Sequence, residues 1–93
     1  MVLLMANPVP ITVIRKSLKR RDCWGECGLE TKTIWIEKNH PNAQAYLSTL
    51  VHESIHLLAA DLGQPDIAEE KVIEWERVIA KMLYDEGFRR IQP

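Results

Sequence analysis

Ninety-three residues carry 46% hydrophobic and 27% charged side chains at a formal net charge of −1, the profile of one ordinary globular domain. The near-neutral balance excludes bulk attraction to nucleic acid, and no apolar run approaches a membrane span of roughly 20 residues. Residues 1 to 6 are apolar but too short for a signal peptide, and two cysteines do not make a secreted disulfide framework, so a cytoplasmic protein is expected.

Val9, Ile11 and Val13 alternate with Pro10 and Thr12, the pattern of a short strand. Arg15, Lys16, Lys19, Arg20 and Arg21 form a basic cluster, balanced by an acidic last third from Asp66 to Glu86. Two solvated faces account for this; the sharper alternative is a basic docking patch. Cys23-Trp24-Gly25-Glu26-Cys27-Gly28 reads as a turn or hairpin with a short strand of its own. One disulfide between Cys23 and Cys27, or a second zinc site with His40, can be drawn, but the spacing is loose and favours ordinary thiols. Thr31 to Glu37 alternate again, with the β-branched and aromatic content of a strand.

Asn39 to Asn42 interrupt that pattern. Pro41 suits the first turn of a helix, which then runs to about Leu62 with a buried stripe of Leu47, Leu50, Val51, Ile55 and Leu58. Gly63 is placed to close it, and Pro65 cannot continue it. A second helix is expected from Asp66, capped by Asp66 with Glu69 three residues on. Its buried stripe reads Val72, Trp75, Ile79, Met82 and Leu83, and Gly87 stops it. Trp24, Trp35 and Trp75 read as packing residues. Tyr46 or Tyr84 could stabilise an oxyanion, though nothing in the sequence places either one.

The chemistry lies at His52-Glu53-Ser54-Ile55-His56, an H-E-x-x-H motif on the first helix. Residues four apart lie roughly 40° apart around a helix and one turn along it, so His52 and His56 can face one metal ion. Glu53, offset by one residue, reaches the water at that metal and can take its proton. The bland alternative is two surface histidines on an amphipathic helix. Catalytic zinc usually takes a third protein ligand. The extended motif with a third histidine fails, because Ala59 and Leu62 occupy its glycine and histidine positions. The third ligand is then a carboxylate from the second helix: Glu69, Glu70, Glu74 or Glu76. Facing favours Glu69, which lies three residues before Val72, with Glu70 second. A capping role would compete for the same carboxylate.

Leu50 to Leu58 followed by Glu69-Glu70-Lys71-Val72 resembles the short zincin-type metallopeptidases common in phages and prophages, distantly similar to the ImmA/IrrE-like peptidases. Thr33 to Ile36 resemble the strand these proteins place before the active-site helix. The resemblance covers about residues 25 to 83 and does not extend to the basic, cysteine-containing segment. It implies zinc held by His52, His56 and a second-helix glutamate, with Glu53 as base. The expected fold is α+β, a single domain over residues 1–93 with a small, mostly antiparallel sheet on two helices. The expected function is zinc-dependent peptide-bond hydrolysis, with an extended substrate added along an edge at residues 31 to 37. The rival is a non-catalytic, zinc-stabilised module that docks a protein partner. So short a chain leaves little room for a specificity pocket, and a partner or homodimer could supply one.

Overall fold

The structure, a computed structural model, describes residues 10–18 and 23–88. Val9 of the first expected strand, Lys19, Arg20 and Arg21 of the basic cluster, and residues 89–93 of the tail lie outside them. The elements are β1 (Thr12–Lys16), β2 (Gly25–Gly28), β3 (Thr33–Glu37), α1 (Ala43–Asp61) and α2 (Glu69–Asp85). The fold class is α+β.

The sheet has the order β1-β3-β2. β1 pairs with β3 in parallel and β2 with β3 antiparallel, so the sheet is mixed where mostly antiparallel pairing was expected. β3 sits in the centre because its side chains are apolar on both faces: Ile34 and Ile36 are fully buried, and Trp35 is half-buried. Residues 31 to 37 are therefore not an edge; the edges are β1 and β2. β1 ends and β2 begins beside the same end of β3, on its two sides. Glu37 holds that end, its buried carboxylate accepting from Leu18 N at 2.6 Å and Asn39 N at 3.0 Å. At the other end Lys32, in the left-handed region at φ 53°, turns the β2–β3 connection and pairs with Asp61 at the end of α1.

α1 begins where Asn42 accepts from Ala45 N at 2.8 Å, so Pro41 precedes the cap instead of entering the first turn. It ends as expected. Gly63 takes φ 84°, and Gln64 N and Gly63 N return to the carbonyls of Ala59 and Ala60, a Schellman closure. α1 is buried on two faces. Tyr46 and Leu57 pack with Ile34 and Ile36 of the sheet, while Leu47, Val51 and Ile55 meet Val72 and Ala80 of α2. Leu58, expected in the core, is 55% exposed.

α2 differs more from expectation. It starts at Glu69, and its N-cap, Ala68, makes no side-chain cap bond. Asp66 instead lies in a turn closed by Ile67 N to Gln64 O at 3.2 Å, which carries Ile67 into the inter-helix core. The inward face of α2 is Val72, Ala80, Leu83 and Tyr84, with Glu76 half-buried among them. Trp75, Ile79 and Met82 are 44%, 36% and 54% exposed. The helix is thus rotated by roughly a quarter turn from the face its apolar stripe predicts. Trp24 is exposed as well. Among the described residues no helix is long and apolar enough to cross a membrane.

Candidate metal centre

Besides its two buried faces α1 presents His52 and His56, both half-buried. Glu69, the first residue of α2, reaches both rings: Oε2 lies 3.0 Å from His52 Nε2 and Oε1 3.2 Å from His56 Nε2. One donor atom from each of the three residues falls within 4.8 Å of the others, so the group could hold a metal ion. The donor chemistry fits zinc, which takes imidazole nitrogen and carboxylate oxygen at about 2.0–2.2 Å and so spaces tetrahedral donors roughly 3.3 Å apart. Among the described residues Glu70 and Glu74 do not enter the group. With no side-chain cap at Ala68, no capping box holds Glu69 away from the histidines.

Glu76 joins the site in another way. Its Oε1 accepts from His52 Nδ1 at 3.1 Å, turning Nε2 of the same ring toward Glu69. A carboxylate behind a ligating histidine fixes ring and tautomer. Sequence reasoning entered Glu76 only as a rival ligand. The available signal was its spacing, seven residues or two turns beyond Glu69, which returns it to the same face.

Glu53 points to the sheet side of α1 and is 9% exposed. It lines a cleft of about 240 Å³ together with Trp24, Gly25, Ser48, Thr49, His52 and Glu76. Burial raises its pKa above the ordinary carboxylate range; the positive field of His52 and a hydrogen bond from the Cys27 thiol oppose that rise. The Cys27 thiol is in turn pushed up to about 11, by burial first and then by the Glu53 charge. It is therefore a protonated donor at neutral pH. β2 can pass this close to Glu53 only because position 25 is glycine: a Cβ there would lie 2.6 Å from Thr49 Cγ2 and 3.2 Å from Glu53 Cγ.

Cys23 and Cys27 are not joined in a disulfide. His40 makes no second metal site with them. Its Nδ1 lies 2.7 Å from Glu37 O and its Nε2 2.9 Å from Thr49 Oγ1, and its ring meets Trp24 with centroids 4.8 Å apart. It braces two walls of the cleft. Tyr46 is buried, with its hydroxyl accepting from Arg15 Nε at 2.5 Å, and Tyr84 packs in the inter-helix core. Neither tyrosine lines the cleft.

No protein-family model, curated protein or solved structure matches this chain.

Proposed function

We propose that the protein is a zinc-dependent peptidase of minimal zincin-like design. The observation that carries this reading is the division of labour on α1. His52 and His56 converge with Glu69 on one side, while Glu53, the residue between them in the motif, faces the adjoining cleft. A zinc ion held there would supply Lewis acidity toward a scissile carbonyl and acidify water.

Glu53 then accepts the water proton and returns it to the leaving amine. Its environment suits that exchange. Burial resists its ionisation while His52 and the Cys27 thiol support it, and the net rise makes the carboxylate a stronger base than an ordinary one. Glu76 keeps the His52 ring oriented. An extended peptide would add along β2, the sheet edge that adjoins the cleft at Trp24 and Gly25, by main-chain hydrogen bonds.

The rival, a metal-stabilised docking module, needs no buried carboxylate beside the donors and would be better served by a fourth protein ligand. Among the described residues the donor group stops at three. The test is a peptide-library digest by the zinc-loaded protein and by Glu53→Gln at matched metal content. The parent should cleave and the variant should lose about 10²–10⁴-fold in rate. A zinc-loaded parent that cleaves nothing, or a variant that cleaves like the parent, defeats the reading.

A further inference from the structure

The outward face of α2 carries a second pattern, independent of the metal centre. Lys71, Trp75, Val78, Met82 and Asp85 recur at alternating spacings of four and three, the period of a coiled-coil seam. All five are exposed, Val78 at 67%. Among the described residues the three apolar members form an unpartnered stripe, flanked by a groove of about 290 Å³ that Leu58 of α1 and Leu62 just after it bound together with Trp75 and Ile79. A stripe with this spacing and no cover among the described residues marks an interaction surface.

Charge placement identifies what covers it. Lys71 and Asp85 stand seven residues before and seven after Val78 (78 − 71 and 85 − 78). The pattern is thus self-complementary about Val78. When two α2 helices pair antiparallel around a two-fold axis at that residue, Val78 meets Val78. Lys71 meets Asp85 of the second copy at both ends, while Trp75, three residues before the axis, and Met82 of the second copy, four after it, lie one residue or about 1.5 Å of rise apart along the seam. Beside the seam, Glu74 falls opposite Lys81 of the second copy, and Lys81 is already held to Asp85 of its own chain at 2.7 Å. A parallel pairing would set Lys71 against Lys71 and Asp85 against Asp85. The seam from Lys71 to Asp85 is about 21 Å long, and the unbranched Met82 of the second copy is suited to the irregular groove beside Trp75.

We propose that the chain forms a two-fold symmetric homodimer through this face of α2, in an interface where the same patch serves both copies. Sedimentation equilibrium of the full chain, run with zinc and with a chelator, tests it. The parent should dimerise in both conditions. Val78→Glu should be monomeric at concentrations where the parent is dimeric, with far-ultraviolet circular dichroism unchanged. Lys71→Glu and Asp85→Lys should each weaken dimerisation about tenfold, since each turns both symmetric charge pairs repulsive. The double reversal should restore the parent value. Each reversal places its charge favourably for the helix dipole, so weakening cannot be ascribed to loss of the helix. A parent that stays monomeric at every concentration overturns the proposal and leaves the face to a different protein. So does a dimer indifferent to Val78→Glu, or a double reversal that fails to rescue.

Discussion

His52 donates from Nδ1 to Glu76 Oε1 at 3.1 Å across the two helices, and this bond decides which ring nitrogen is left for a metal. With Nδ1 committed to Glu76, Nε2 is the nitrogen that faces Glu69. Glu76 is thus a positioning residue: it contacts His52 and is not one of the three donors. Glu76→Ala should lower zinc affinity about 10–100-fold, while Glu76→Gln, which keeps an acceptor oxygen, should lose less. Competition against a chromophoric chelator reads both. Equal affinities for the parent and the alanine variant would show that His52 is oriented by packing alone.

Glu69 and Glu70 open α2 side by side, yet only Glu69 reaches the imidazoles. Glu69→Gln should bind zinc far more weakly, and Glu70→Gln should bind like the parent. Metal removal should also loosen the packing of α1 on α2, because the donors bridge two helices that otherwise meet through a small cluster around Val72 and Ala80. A ligand present at about 100 times its Kd adds about 2.7 kcal/mol, and for a domain of this size each kcal/mol moves Tm by roughly 4–8 °C. Chelation should therefore lower Tm by roughly 10–20 °C in the parent and scarcely at all in Glu69→Gln. A parent whose Tm ignores zinc would refute metal binding.

The motif was legible because its signal is local: two histidines four apart on a strongly apolar helix face one way wherever the helix packs. The α+β class, the core of β3 and the end of α1 followed from alternation, helical spacing and the Gly63 stop, whereas Pro41 pointed to a start for α1 that missed the Asn42 cap. The orientation of α2 did not. An apolar stripe of Val72, Trp75, Ile79 and Met82 outweighs Val72, Glu76 and Ala80 by any hydrophobicity measure. The helix nevertheless turns the second set inward, since Glu69 and Glu76 meet His52 there. Polar pairing chose the face, and periodicity alone carries no trace of that choice. The parallel β1–β3 pairing was equally hidden, because β2, the next strand in the chain, pairs with β3 instead of with β1.

Gly25 offers a test of how closely β2 must approach the cleft. Gly25→Ala would bring its Cβ to 2.6 Å from Thr49 Cγ2, a backbone-borne atom against a β-branched side chain with little freedom. Overpacking of this kind costs about 1–3 kcal/mol. Thr49→Ser deletes the offending methyl and keeps the hydroxyl that bonds His40. The double variant should therefore recover much of the stability that Gly25→Ala loses, measured by urea unfolding. If the two changes add instead of compensating, the contact is not the cause.

Cys27 links the site to alkaline stability. Its pKa is raised from 9.0 to about 11, by burial first and then by the negative field of Glu53. A group whose folded pKa lies above its unfolded value keeps the folded state protonated while the unfolded chain has already released its proton. The unfolded state then binds fewer protons, and stability falls as pH rises. The contribution of Cys27 is fully present below about pH 9 and lost as the pH climbs through about 11. Lysines and tyrosines also titrate in that window, so the informative quantity is a difference. The parent should lose stability more steeply than Cys27→Ala over the interval, and the two curves should run parallel below it. Alkylation gives a second readout, since only the thiolate reacts: Cys27 should resist iodoacetamide at pH 8 in the native state and react as the pH approaches 11. Rapid native-state modification at pH 8, or parallel stability curves up to pH 11, would mean that the thiol does not hold its proton against Glu53.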